Sequence, residues 1–248
     1  MPYNPPKEIL DRYADVLVNF ALNSGEGVKK GEVVLLQVDE RAKPLLESLR
    51  RKVFQAGAHA IVQFIPNDFA RGFYDHAQDH HLEFFPEKYL RGLVDQIDHS
   101  IHVTAETNLK ELEGIDPKKI MKRDRTYKRY KEWRDEKENQ GKYTWVLASY
   151  GTEEHAKEAG LSIEEFWEQI IRACFLDHED PIKKWKEVFV ENERIREKLN
   201  SMKIEGLHVK GENIDLKVGL GPNRKWLGGS GRNIPSFELF ISPDWRKT

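Results

Sequence analysis

The sequence predicts an α/β protein with a mostly parallel sheet and helices on both faces, followed by the start of a second, β-rich unit. One observation is that short apolar runs, typical of buried strands, alternate with helical segments over roughly the first 150 residues. The other is a change in sequence pattern near residue 203, after which short strand-like runs are joined by Gly-rich turns. Alternating strands and helices need crossover connections, which place the strands parallel in one sheet.

The α/β pattern rests on four predicted strands, namely Val33 to Val38, Ala60 to Ile65, His99 to Ala105 and Thr144 to Ala148. The segments between them repeat apolar residues at helical spacing. The clearest stripe consists of Ala42, Leu45, Leu46, Leu49 and Val53. It stops before Gly57, a residue type that commonly ends helices. The first strand is not followed by a GxGxxG motif, so we do not expect a Rossmann-type dinucleotide site.

Two further helices are predicted before the pattern changes near residue 203. Ser162-Ile163-Glu164-Glu165 is a capping box that opens the first, and Asp180-Pro181 begins the second. The strands predicted after them are Ile204 to Val209, Ile214 to Val218 and Phe237 to Ile241. We therefore divide the chain into an N-terminal α/β domain, residues 1–200, and the beginning of a second domain, residues 201–248.

The second unit is too short to hold a core of its own. Units of this size rarely fold without disulfides, a metal or a partner surface. Strands that ended there would leave unpaired edges. We therefore expect residues 201–248 to be a truncated domain whose remaining sequence lies beyond Thr248.

Composition indicates a water-soluble protein of the cytoplasm. The 248 residues are 39% hydrophobic and 33% charged, with a net charge of −2, so no global field draws the chain to nucleic acid or membrane. The one cysteine, Cys174, cannot form an internal disulfide, which fits a reducing compartment. Its place on an apolar helix face favours an inert buried thiol over a catalytic one. The N-terminus shows no apolar signal region, and the apolar runs are too short to span a bilayer.

Four histidines need an interpretation. His76 and His80 are four residues apart and would share a helix face, which is the spacing of zinc ligands. The glutamate of an HExxH motif is absent, because Ala77 follows His76, and the segment is very polar. We prefer a solvated helix to a metal site here. His99 and His102 lie in a predicted strand, and we interpret them as structural.

The segment from Lys118 to Lys137 is rich in Lys and Arg, with Tyr127, Tyr130 and Trp133 interleaved. Basic residues beside aromatic rings are one signature of nucleic-acid binding. Acidic residues are mixed into the same segment and can pair with the cations along a helix. We therefore predict a charged surface helix and no nucleic-acid partner.

The segment from Gly228 to Glu238 joins a Gly-rich stretch to Asn233-Ile234-Pro235 and then to a carboxylate at a predicted strand start. A charge presented beside a loop suits metal binding or acid–base chemistry. The residues alone leave the simpler alternative open, in which Glu238 is an exposed loop acid.

Several segments, taken in order, resemble the thermophilic metalloaminopeptidase family of the aminopeptidase T and aminopeptidase S type. The matching segments include Gly31-Glu32-Val33-Val34-Leu35, Ala173-Cys174, Asp180-Pro181-Ile182, Asp215-Leu216, Gly228-Gly229 and Asn233-Ile234-Pro235-Ser236-Phe237-Glu238. The resemblance spans nearly the whole chain. Two positions depart from it, since Phe237 stands where the family usually has Gly and Gly151 where it often has Pro.

The resemblance implies a homodimeric exopeptidase that acts on peptides and holds two divalent metal ions, zinc or cobalt, in a C-terminal catalytic domain. It maps one metal ligand onto this sequence, Glu238, and places the others further along the family's chain. Two metals can activate a bound hydroxide and polarise a carbonyl, but zinc needs about four ligands. We therefore expect a metal-dependent aminopeptidase, of which this chain is an inactive fragment. The alternative is a non-catalytic α/β binding or scaffold protein that lacks the catalytic domain.

Overall fold

The computed structural model describes residues 3–228 and 234–244. Within them, one four-stranded sheet has the order β2-β1-β3-β4, and its neighbouring strands are all parallel. The strands are β1 Val33–Asp39, β2 His59–Ile65, β3 His99–Thr104 and β4 Thr144–Ser149. The predicted fold class is confirmed, and the predicted strand ends are correct to within one residue.

The helices of the described residues alternate with these strands and then follow them. They are α1 Lys7–Asn19, α2 Lys43–Gln55, α3 Ala70–His76, α4 Asp79–Leu82, α5 Glu87–Gln96, α6 Pro117–Asn139, α7 Glu153–Glu158, α8 Ile163–Ala173 and α9 Pro181–Ser201. The predicted capping box opens α8, where Ser162 and Glu165 cap each other's backbone N–H groups. Asp180 caps α9 by accepting from the Lys183 amide at 2.9 Å, and Pro181 follows it.

Both faces of the sheet are covered, but by cores of different size. Alternate residues of β1, Val34, Leu36 and Val38, join a large buried cluster with α1, α2, α8 and α9. The opposite face has a smaller cluster in which Leu35 packs with residues of α5 and with Tyr143. The large core makes the sheet a rigid platform, and the thin cover on the second face leaves room for polar side chains.

The chain after α9 forms two small antiparallel pairs. β5 Gly206–Gly211 pairs with β6 Ile214–Gly219 as a hairpin, and β7 Leu227–Gly228 pairs with β8 Leu239–Phe240. The predicted strand from Phe237 to Ile241 is too long, because Phe237 has a φ of +35° and cannot continue an extended strand. The division of the chain at residue 200 stays a prediction.

Among the residues that the structure describes, none of the helices is both long and apolar enough to cross a membrane.

The buried thiol of Cys174 gives a first prediction. Cys174 is fully buried, and burial raises its pKa to about 12. Because thiolate is the reactive form, the native protein should react with a thiol-specific disulfide reagent at pH 8 at least ~100-fold more slowly than the protein in guanidinium chloride. The absorbance of the thiolate released from the reagent measures both rates. Rapid labelling of the folded chain would contradict the inert interpretation.

Candidate functional site

Glu238 follows a residue that is anchored in the large core. The ring of Phe237 lies 5.7 Å from that of Phe20 and 5.4 Å from that of Trp185, measured between centroids. The Asn192 side-chain amide on α9 donates to the Phe237 carbonyl oxygen at 2.7 Å. Ile234, at the start of the same segment, is also buried. The segment that carries Glu238 is therefore fixed to α1 and α9.

The backbone at Phe237 has a conformation that suits the Gly expected at this position from the family resemblance. A φ of +35° lies in the left-handed region, which glycine adopts freely and other residues enter at a cost of roughly 1–3 kcal/mol. Phe237 is 6% exposed, and full burial of a Phe side chain stabilises by about 1.5–3 kcal/mol. The two effects are similar in size, so the ring compensates for the strained backbone.

Gly228 lets the chain approach the backbone of Glu238 closely. Its φ is +139°, and a Cβ atom built on it would lie 2.1 Å from the Glu238 carbonyl oxygen. No side chain fits at that distance, so only glycine allows β7 to pair with β8 here. Gly228 thus sets the position of the backbone that presents Glu238.

The Glu238 side chain is exposed and charged at neutral pH. The Ser236 hydroxyl donates a hydrogen bond to its carboxylate, and this bond holds the pKa of Glu238 below its usual range. An ionised, accessible carboxylate is the form that binds divalent cations. The local geometry is therefore compatible with the ligand role that the sequence predicted, and that role stays a prediction.

The described residues do not complete a metal centre around Glu238. Across residues 3–228 and 234–244, no group of three or more His, Cys, Asp or Glu side chains could hold a metal ion. Asp215, from the matching Asp-Leu segment, is engaged on the β5–β6 hairpin, where its carboxylate lies 2.5 Å from His208 Nε2. Zinc needs about four ligands, so these residues alone do not fit a two-metal site.

The histidine pair does not form a zinc site either. The prediction that His76 and His80 share a helix face is wrong, because α3 ends at His76 and the extended backbone of Ala77 separates it from α4. Both side chains are exposed, and His76 Nδ1 lies 2.8 Å from the Gly72 carbonyl oxygen. Gln78 caps α4 and so starts a new helix between the two histidines.

The basic helix α6 lies on the surface, as predicted, and each of its residues is at least partly exposed within the described structure. Its cations pair mainly with other helices. Lys122 contacts Asp79 and Glu83 at 3.2 and 2.7 Å, and Arg129 contacts Glu87 at 2.8 Å. The sequence suggested pairs along α6 itself, of which Lys128–Glu132 at 3.4 Å is one.

The two strand histidines have different environments. His99 is buried, and its ring nitrogens lie 2.8 Å from Thr144 Oγ1 and 2.8 Å from Glu32 Oε2. It links the N-terminal ends of β3 and β4 to Glu32, directly before β1, in agreement with a structural role. His102 is half-buried on the opposite side of β3 from Val103, and it lines a cavity whose significance the sequence did not reveal.

Comparison with known proteins identifies the family. The sequence profile of the thermophilic metalloproteases (M29) matches residues 6–248, so the chain belongs to that family. It is 25% identical to aminopeptidase PepS of Streptococcus thermophilus and 26% identical to aminopeptidase T of Thermus thermophilus, over 97% and 94% of this chain. The solved structure of wild-type AmpT from Thermus thermophilus has the same fold, with a TM-score of 0.81 over 96% of this chain at 23% identity.

These relatives are longer than the chain. The match covers 62% of the length of aminopeptidase PepS, 61% of aminopeptidase T and 62% of the AmpT structure. The resemblance found in the sequence is thus confirmed at the level of family and fold.

Gly228 provides a test of the local geometry around Glu238. Gly228→Ala should break the β7–β8 pairing, because its methyl group would overlap the Glu238 carbonyl oxygen. We expect amides of residues 239–240 to exchange about tenfold faster in hydrogen-exchange mass spectrometry. The matched control is Gly92→Ala in α5, where a Cβ atom meets no neighbour within 4 Å. Unchanged exchange in Gly228→Ala would show that this close approach does not position Glu238.

The pairing of α6 with its neighbours predicts the absence of a nucleic-acid partner. Because acids in and next to α4 and α5 pair with Lys122 and Arg129 of α6, binding to DNA or RNA should be no tighter than the nonspecific level of about 10⁻⁴ M. Mobility-shift assays at ~10 μM protein and physiological salt check this. A salt-sensitive shift at that concentration would contradict the prediction.

Proposed function

We propose that this chain acts in the hydrolytic release of N-terminal amino acids from peptides by a metal-dependent aminopeptidase. The observation that carries the proposal is the match of residues 6–248 to the thermophilic metalloproteases, together with relatives that are named aminopeptidases. The α/β sheet, its large core and the anchored segment before Glu238 make up the matched region. Substrates are peptides with a free N-terminus.

Glu238 is the metal ligand that we assign within the chain. Three features support this assignment: the buried ring of Phe237 fixes the preceding residue, Gly228 fixes the backbone, and the Ser236 hydroxyl donates to the carboxylate and orients it. The residue is exposed, so an ion can reach it.

The metal centre that we propose holds two divalent ions, zinc or cobalt, and its remaining ligands are not among the described residues. One carboxylate binds a divalent ion weakly, because such ions require several ligands in a fixed geometry. We infer that the 248-residue chain alone neither binds two ions stoichiometrically nor turns over substrate. We further infer that the enzyme works in the cytoplasm as a homodimer, which the single unpaired cysteine and the family resemblance support.

The first experiment uses the chain itself. Purified protein is incubated with zinc or cobalt and with leucine p-nitroanilide, and dialysed samples are analysed for metal. We expect no release of nitroaniline above the buffer rate and clearly less than two ions per chain. Robust turnover by the chain would mean that the active site lies elsewhere in it.

The second experiment adds the C-terminal segment of a longer relative. Residues 1–248 are fused to the C-terminal segment of Thermus thermophilus aminopeptidase T that lies beyond the matched region, and folding is checked by circular dichroism. The fusion should hydrolyse the anilide, and Glu238→Gln should lower kcat at least ~100-fold, because it removes a charged metal ligand. Glu212→Gln, at an exposed carboxylate in the β5–β6 turn, is the matched control and should be neutral.

Two outcomes oppose the proposal. An active fusion that tolerates Glu238→Gln would remove Glu238 from the metal centre. A folded but inactive fusion would favour the alternative, a binding or scaffold protein built on the α/β domain, since the described residues hold no metal cluster of their own.

A further inference from the structure

One face of the parallel sheet carries polar side chains where apolar ones are the rule. Gln37 of β1 and Ser100 and His102 of β3 point to the face that α6 covers. Parallel strands are usually apolar on both faces, because helices bury both. Here a cavity of about 330 Å³ remains between the strands and α6, and Tyr143, Trp145 and Leu147 complete its sheet side. Polar groups that converge on such a cavity are a mark of a ligand site.

The floor of this cavity is rigidly built. Ser100 and Tyr143 are 2% and 3% exposed and are hydrogen-bonded to each other through their hydroxyl groups. Arg134 of α6 donates from Nη2 to the Tyr143 hydroxyl oxygen at 2.7 Å, and its guanidinium lies 5.2 Å from the Tyr143 ring centroid. This arrangement holds Arg134 over the sheet.

One buried polar atom in the cavity lacks a partner within the described part of the chain, namely Arg134 Nε, which has no acceptor. The half-buried imidazole of His102 lines the same cavity. Burial lowers the pKa of His102, so its ring is neutral at physiological pH and offers one donor and one acceptor. Buried polar groups normally find partners, so unpaired ones around a cavity indicate a missing ligand.

The charges on the rim have both signs. Lys131 and Arg134 contribute cations from α6, and Asp135 contributes a carboxylate one residue further on. Neither Lys131 nor Asp135 forms an ion pair within the described part of the chain. The second carboxylate of the lining, Glu138, accepts from the Trp145 indole N–H at 3.2 Å, so Asp135 is the carboxylate available to an ammonium group. Two cations beside this carboxylate are complementary to a molecule that carries both a carboxylate and an ammonium group.

We propose that this cavity binds a free α-amino acid, with its carboxylate on Arg134, its ammonium group near Asp135 and an apolar side chain against Trp145 and Leu147. The guanidinium group is well suited to a carboxylate, which it can bind through two parallel hydrogen bonds. The volume lies at the lower end of small-molecule sites and suits a single residue. The site lies on the opposite face of the sheet from Phe237 and the Glu238 segment, so it does not depend on the proposed metal centre.

Calorimetric titration with L-leucine tests the proposal on the 248-residue chain. L-Leucine should bind, whereas leucinamide, which lacks the carboxylate, and 4-methylpentanoate, which lacks the ammonium group, should each bind at least ~10-fold more weakly. Excess EDTA should not change the affinity for L-leucine. Loss of binding in EDTA would place the amino acid on a metal and overturn the assignment to this cavity.

Two variants locate the bound molecule. Leu147→Trp fills the cavity from an exposed strand-edge position, where Leu147 is 40% exposed, without removing a polar contact, and it should abolish detectable binding. Arg134→Met should weaken binding at least ~10-fold. The matched control, Arg125→Met, changes an α6 cation outside the cavity and should leave the affinity unchanged. Circular dichroism shows that each variant is folded. No heat with ~10 mM L-leucine, or full affinity in folded Leu147→Trp, would overturn the proposal.

Discussion

The packing of Phe237 against Phe20 and Trp185 ties the C-terminal part of the described chain to the α/β core. Trp185 is itself fixed, since its indole N–H donates to the Cys174 carbonyl oxygen at 3.1 Å at the end of α8. Rings from α1, α9 and the segment before Glu238 thus form one buried cluster. Aromatic contacts of this kind each add about 0.5–1.5 kcal/mol beyond the area they bury. The position of Glu238 depends on this cluster, because the two-residue pair β7–β8 is too small to hold a segment in place by itself.

The two faces of the sheet differ in the side chains that cover them. On one face, alternate strand residues enter a large apolar core that holds α1, α2, α8 and α9. On the other face, α5 covers only part of the surface, and the polar helix α6 spans the rest. Its arginines stack on aromatic rings of neighbouring elements, since Arg123 lies 5.1 Å from the Phe73 ring centroid and Arg129 lies 5.5 Å from that of Phe85. A helix held by its charged side chains leaves a gap beneath it, where polar groups such as Gln37 and His102 are tolerated.

The sequence allowed the strands and most helices to be predicted because their signals are local. The run from Val33 to Val38 is apolar enough for a buried strand, and Ser162 with Glu165 marks a helix start within four residues. The break between His76 and His80 was missed, because neither Ala77 nor Gln78 is a strong helix breaker. The residues around Glu238 suggested a charged group beside a loop, but only the family resemblance gave it the role of a metal ligand. The contact between Phe237 and Phe20, which fixes the preceding residue, joins positions far apart in sequence, and composition or periodicity cannot reveal it.

The close approach of Gly228 to Glu238 has a consequence for how this family can change over evolutionary time. A side chain that holds a functional group can often be exchanged for another of similar size, and the group keeps its place. Here the Glu238 carbonyl oxygen occupies the space where a Cβ atom of residue 228 would lie, and every substitution at Gly228 adds that atom. Neighbouring Leu227, 50% exposed, is under no such steric restriction. We therefore expect selection at this turn to act on the absence of a side chain at one position, while the residues around it can vary.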